Sequence, residues 1–152
     1  MRRRVILLAI AAVALGLATG KGAAQDRAWH EPARGSATRS ALMEALRPHA
    51  EWELGAPVEF VVGELRVAGD LAFAALTAQR PGGAAIDLRR TPGFARGTLD
   101  PEMMDGASLQ ALYRKSGATW VAVHHAIGAT DAWFVWEPLC AAYRPVISDY
   151  CF

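Results

Sequence analysis

The first 24 residues constrain this chain most, because they have the order of a cleavable secretory signal. Residues 1–4, with arginine at 2, 3 and 4, form a basic cluster, residues 5–18 are apolar apart from Gly16, and small and polar residues follow. This sequence of n, h and c regions is typical of a signal peptide. The apolar run is shorter than the roughly 20 residues that span a bilayer. We therefore expect export, and no stable membrane anchor once the signal is cleaved.

Small residues at 22, 23 and 24 place the expected cleavage after Ala24. Residues 25–36 mix charge, proline and glycine without a period, which predicts a flexible leading segment. Residues 37–152 are expected to form a single domain in the periplasm or outside the cell. Paired arginines at positions 3 and 4 leave a twin-arginine route as an alternative means of export.

The charge balance changes when the signal is removed. Four of the 16 lysine and arginine residues lie in residues 1–24, and all 15 acidic residues lie beyond them. The expected mature chain therefore has 12 basic and 15 acidic residues, a net charge of −3. A mildly acidic domain lacks the basic surface that nucleic acids require, so we expect no nucleic-acid partner.

The chain contains two cysteines, Cys140 and Cys151. In a reducing compartment they would be buried apolar residues, but behind a signal peptide an even pair predicts a disulfide. The CxxC spacing of redox-active sites is absent. We expect a structural bond.

Helical spacing begins at residue 37. Ser36, Thr38 or Ser40 can cap this helix, and we expect Pro48 to kink or restart it before Gly55 ends it. One face carries apolar residues at intervals of three and four: Leu42, Met43, Leu46, Ala50 and Leu54.

Two hairpins follow the helix. Residues 58–67 and 71–79 alternate as strands, with a bulge expected at Gly63. Residues 109–115 and 119–127 form the second pair, turning at Ser116 and Gly117, although residues 109–115 also suit a short helix. Residues 80–106 are rich in glycine and proline and predict a long loop.

The end of the chain predicts short helices. Thr130 or Asp131 can cap a helical region through Trp136, and Pro138 suits the first turn of another helix that Pro145 ends. The whole order predicts an α+β fold. An N-terminal helix packs on a four-stranded antiparallel sheet, made of two hairpins joined by a long loop, and a short helical C-terminal tail follows. This order resembles cystatin-like folds in general shape.

Several segments resemble a group of small uncharacterised exported proteins of Gram-negative bacteria. They are LMEALRP at 42–48, PVEFVVGELRVAGDLAFAAL at 57–76, RPGG and AID within 80–87, ALYRK at 111–115, and TW and IGATD within 119–131. The resemblance implies an exported domain of these limits. It implies no catalytic residues.

His124 and His125 are the first candidates for chemistry, since imidazole is a common base and metal ligand. Adjacent residues of a strand point to opposite faces, so the two do not converge on one metal. We expect no metal and no cofactor. An acid–base pair of His124 or His125 with Asp131 is the catalytic alternative, because no serine lies in a GxSxG elbow.

The candidates for ligand binding are Arg89 and Arg90 in the long loop, and Trp133 and Trp136 in the tail. Arginines in a loop can hold an anion, and exposed tryptophans favour partner surfaces. Packing of Trp133 and Trp136 onto the sheet, held there by the disulfide, is the favoured interpretation of that pair.

The sequence therefore predicts an exported, non-catalytic binding or interaction module, with an unknown protein or small molecule as its partner. A small periplasmic hydrolase or isomerase that uses His124 or His125 with Asp131 is the alternative. A secreted enzyme inhibitor is a narrower form of the first prediction.

Overall fold

A computed structural model of the chain describes residues 28–152. The predicted signal peptide and residues 25–27 of the leading segment lie outside the described residues. Within 28–152, no helix is long and apolar enough to cross a membrane.

Four strands form one antiparallel sheet in the order β1-β2-β3-β4. The predicted α+β class, the four-stranded antiparallel sheet and the C-terminal helix are confirmed. The elements are α1 (Ala37–Leu54), β1 (Glu59–Ala68), β2 (Leu71–Gln79), a 3-10 turn (Leu88–Arg90), α2 (Pro92–Arg96), β3 (Ser108–Ser116), β4 (Thr119–Ile127), a second 3-10 turn (Trp133–Val135) and α3 (Glu137–Ile147).

Helix α1 begins after a serine N-cap and ends at a glycine C-cap, as the sequence predicted. The Ser36 hydroxyl accepts a hydrogen bond from the Arg39 amide at 3.2 Å, and Gly55 ends the helix with a φ of 79°. The expected restart at Pro48 is wrong, because α1 runs through it without a break. Pro48 is exposed, whereas Ala50 and Leu54 are fully buried. Burial of the last turn offsets the proline's cost of about 3 kcal/mol.

The first hairpin confirms the bulge at Gly63, since the β1–β2 register shifts between Val62 and Glu64. A Cβ atom at Gly63 would lie 3.2 Å from the Ala75 carbonyl oxygen. This close approach of the neighbouring strand favours glycine there.

The second hairpin turns one residue later than expected. Ser116 pairs with Thr119, so Gly117 and Ala118 make the turn. A second bulge lies in β4, where Leu112 pairs with His124 and Tyr113 with Ala122. Residue 123 is left outside the ladder.

The connection between the hairpins contains more structure than its composition predicted. Residues 80–106 hold the first 3-10 turn and α2. The Thr91 hydroxyl caps α2 by accepting from the Phe94 amide at 3.2 Å, and Pro92 occupies the first turn. A threonine cap followed by proline favours the start of a helix. This start was not predicted, because the glycine and proline content of the segment predicted a loop.

Each face of the sheet has its own buried cluster. On one face, α1 buries Leu42, Leu46, Ala50 and Leu54 against residues such as Ala111 and Tyr113. On the other face, the tail packs on Phe73 and Leu112, and it contributes Phe134, Cys140, Tyr143, Val146 and Ile147.

The leading segment, expected to be flexible, is attached to the sheet in its described part. His30 and Val67 form an isolated antiparallel bridge, with both backbone hydrogen bonds at 2.9 Å. Glu31 and the Pro32 carbonyl oxygen both accept from the Arg39 guanidinium at 3.1 Å.

The tail differs from expectation at both of its predicted helix boundaries. The second 3-10 turn has Ala132 as its N-cap and no side-chain cap, so capping by Thr130 or Asp131 is wrong. Pro145 lies inside α3 rather than at its end. Val146 and Ile147 follow it and are fully buried, which favours continuing the helix.

A disulfide closes the tail on itself, and a group of ionic contacts fastens it to β1. The predicted disulfide between Cys140 and Cys151 is confirmed. Arg66 of β1 is buried and forms two hydrogen bonds to the Asp149 carboxylate, at 2.5 and 3.0 Å. Glu64 lies 2.6 Å from the same guanidinium and accepts from the Tyr150 hydroxyl at 2.5 Å. We call these six residues the C-terminal clasp: Glu64, Arg66, Cys140, Asp149, Tyr150 and Cys151.

Aromatic rings surround the Arg66 guanidinium. Its carbon lies 4.6 Å from the Trp29 ring centroid, 4.9 Å from that of Tyr150 and 5.8 Å from that of Phe73. Burial acts to lower the pKa of Arg66, but the hydrogen bond to Asp149 and the charge of Glu64 outweigh it and raise that pKa. The guanidinium is therefore a permanent cation that links β1, the leading segment and the tail.

Candidate functional site

Four of the predicted site residues line one surface groove of about 490 Å³, beside the end of β4. They come from β4 and from the start of the tail. The lining residues are Val123, His124, His125, Trp133, Trp136 and Leu139. We call this the His–Trp groove.

The bulge in β4 determines how the two imidazoles are placed. His124 pairs with Leu112, which belongs to the tail-side core, and His125 pairs with Ala111, which belongs to the α1-side core. The two side chains therefore point to opposite faces, as strand geometry predicted. Both are exposed at the strand edge.

Each imidazole has a different aromatic neighbour. The ring of His125 lies on the ring of His49 from α1, with centroids 4.3 Å apart. The ring of His124 meets the Tyr143 ring edge-on at 6.1 Å. His49 was missed by sequence reasoning, because an isolated histidine on the polar side of a helix carries no signal by itself.

Partial burial lowers the pKa of His125, and the charges of His49 and His124 lower it further. His125 is therefore neutral at pH 7, with one nitrogen that donates and one that accepts a hydrogen bond. A neutral imidazole can orient a polar ligand without attracting a charged one.

The two tryptophans of the groove are held differently. The Trp133 ring is half-buried, meets Phe134 edge-on at 5.8 Å, and its indole N–H lies 3.4 Å from the Gln110 side-chain oxygen. Trp136 is 66 % exposed. The expectation that both pack onto the sheet is therefore wrong for Trp136, which follows the 3-10 turn and projects from the tail.

Asp131 is not brought together with the histidines. It is exposed, it does not line the groove, and within residues 28–152 no hydrogen bond or ion pair joins it to His124 or His125. No cluster of three or more histidine, cysteine or acidic side chains in the described part of the chain could hold a metal ion.

The two arginine candidates lie away from the His–Trp groove. Arg89 forms an exposed ion pair with Glu102. Arg90 lines a separate hollow of about 310 Å³ with Arg80, Ala85 and Asp87. The loop arginines and the tail tryptophans therefore do not make one site.

Comparisons of the chain with protein-family models, with curated proteins and with solved structures found no match. The resemblances to small exported proteins and to cystatin-like folds stay predictions.

Proposed function

We propose that this chain is an exported, non-catalytic binding module that holds its protein or small-molecule partner at the His–Trp groove. One observation carries the proposal. Trp136, a residue type usually half-buried or more, keeps 66 % of its surface in solvent beside a groove of about 490 Å³.

The chemistry of the lining supports binding of a partly apolar group. Val123, Leu139 and the two indoles supply apolar surface, and indoles are enriched among residues that dominate binding energy. The His124 imidazole, on the same face as the tail, supplies a polar contact that fixes orientation. The volume lies within the roughly 300 to 1,000 Å³ of small-molecule sites.

The disulfide supports the proposed compartment. Disulfide bonds such as Cys140–Cys151 persist in the periplasm and outside the cell and are rare in the reducing cytosol. Together with the predicted signal peptide, this favours a periplasmic or secreted protein.

A small hydrolase or isomerase is the second candidate, because one observation favours it. The lowered pKa of His125 keeps an imidazole neutral at pH 7 and able to accept a proton at the exposed edge of β4. Asp131 lies outside the groove and does not orient this imidazole. A secreted enzyme inhibitor is the form that the first proposal takes if the partner is an enzyme.

Site-specific photo-crosslinking tests the binding proposal with a matched control. Trp136 and Trp52 are both tryptophans and both 66 % exposed, but only Trp136 lies in the groove. A benzophenone amino acid is placed at one position or the other, and the producing cell is illuminated. Intact-mass measurement then detects protein and small-molecule adducts alike.

We expect an adduct at position 136 that is absent at position 52 and is lost when His124→Ala is added. Equal labelling at the two positions, or an adduct that His124→Ala leaves unchanged, would contradict a specific site at this groove.

A further inference from the structure

A second groove lies between the first half of α1 and the start of β1. Its volume is about 490 Å³, within the size range of small-molecule sites. Its basic lining is Arg34, Arg39 and Arg47, and its apolar lining includes Met43, Phe60 and Val62. We call it the arginine groove.

The arginine groove is basic although the expected mature chain is acidic. Three guanidinium groups and a single carboxylate, that of Glu44, line it. Arg34 is exposed, and within residues 28–152 it makes no hydrogen bond or ion pair. Clustering of arginines against the overall charge concentrates positive potential at this groove.

The other two arginines donate to backbone carbonyl oxygens and also pair with carboxylates, and an incoming anion can replace the carboxylates. Arg39 pairs with Glu31 at 3.1 Å and Arg47 pairs with Glu44 at 3.0 Å. The two glutamate side chains are 60 % and 64 % exposed, and ion pairs this exposed contribute little to stability. Glu31 and Glu44 can therefore turn to water when another anion binds.

Apolar surface lies directly beside the charges. Met43, Phe60 and Val62 are partly buried against the α1-side core, and the Arg47 guanidinium lies 5.3 Å from the Phe60 ring centroid. Val61, which also lines the groove, is 48 % exposed. A ligand that matches this lining has an anionic end and an apolar body.

We propose that the arginine groove binds an anionic amphiphile, that is, a carboxylate or phosphate group on an apolar chain. Arg34 makes the principal contact with the anionic group, and Met43, Phe60 and Val62 contact the chain. The proposal does not depend on the His–Trp groove, which lies beside the opposite edge strand.

Isothermal titration of the oxidised protein with dodecanoate, below its micelle concentration, tests the proposal. Dodecyl maltoside, which has the same chain without the charge, is the matched ligand. Arg34→Glu is compared with a substitution at another exposed arginine that lies outside the groove, Arg90→Glu. Loss of a charged hydrogen bond predicts that Arg34→Glu raises the dodecanoate Kd by about tenfold or more. We expect no change with Arg90→Glu and about tenfold weaker binding of dodecyl maltoside.

Absence of dodecanoate binding, equal affinities for the two ligands, or an unchanged Kd in Arg34→Glu would each overturn the proposal. Sedimentation with phosphatidylglycerol vesicles distinguishes the source of the ligand. Binding that Arg34→Glu removes supports a lipid headgroup, and binding of free dodecanoate alone supports a free fatty-acid anion. Trp136→Ala leaves dodecanoate binding unchanged, so the two sites are tested separately.

Discussion

Helix α1 and the C-terminal tail pack on opposite faces of the sheet, and they are attached in different ways. Helix α1 has 18 residues and an uninterrupted apolar stripe, so burial of four aliphatic side chains attaches it. Helix α3 has 11 residues and contains two prolines. A disulfide ties the chain end back to this helix, and the buried Arg66 fastens that end to β1. A long amphipathic element can be attached by burial alone, whereas a short tail needs specific tethers.

Removing apolar surface from α1 is expected to lower the free energy of unfolding more than any other change proposed here. Leu46 is fully buried, so Leu46→Ala is expected to lower the free energy of unfolding by about 3 kcal/mol, through lost burial and the cavity left behind. Chemical denaturation measures it, with the exposed Glu44→Ala on the same helix as control. If the two variants were equally stable, attachment of α1 by burial would be wrong.

Removing the disulfide should destabilise the C-terminal tail. The two cysteines are separated by 11 residues, and closing a loop of that length stabilises by roughly 2 to 3 kcal/mol. Melting curves of the doubly substituted Cys140→Ala, Cys151→Ala chain measure the loss. Hydrogen exchange should accelerate in α3 and not in α1. An unchanged melting temperature would show that the bond forms without fastening the tail.

The ionic contacts of the C-terminal clasp are expected to contribute slightly less to stability than the disulfide does. Asp149→Asn leaves the Arg66 guanidinium buried with Glu64 as its remaining carboxylate, and loss of charged hydrogen bonds predicts about 2 kcal/mol of destabilisation. Asp131→Asn, also exposed but outside the clasp, is the control for urea denaturation. Equal stability of the two variants would show that the Arg66–Asp149 pair does not stabilise the tail.

The contact between α1 and β4 should depend on pH. The folded state lowers the pKa of His125 below 6.5, so the unfolded chain binds more protons as the pH falls below 6.5. Stability is therefore lost toward acid pH. His49→Asn removes one cause of the shift, so it should raise the His125 pKa and reduce the loss. NMR titration measures both, and a wild-type His125 pKa at or above 6.5 would contradict the contact.

Local sequence signals predicted much of the fold. Gly55 and Gly63 marked a helix end and a bulge, and the alternation of four segments predicted the sheet. The misplaced features have tertiary causes. Pro48 and Pro145 lie inside helices because buried residues follow them. Helix propensities do not include that tertiary burial, so they predict a break or an end of the helix at each proline.

The candidate site was predicted as residues but not as an arrangement. His124 and His125 were assigned to a strand, and Trp133 and Trp136 to the tail, yet their meeting depends on how the tail folds back onto β4. Asp131 was expected nearby because it is close in sequence, but it lies outside the groove. No pattern in the sequence encodes the direction in which Trp136 projects.

The most direct test of the binding proposal is the affinity of the partner captured at position 136. Trp136→Ala and Trp52→Ala remove equally exposed side chains, so both should change stability by about 0.5 kcal/mol or less. Trp136→Ala is expected to weaken binding by about 2 kcal/mol, or about 30-fold in Kd, while Trp52→Ala leaves Kd unchanged. Equal affinities for the two variants would contradict the His–Trp groove as the binding site.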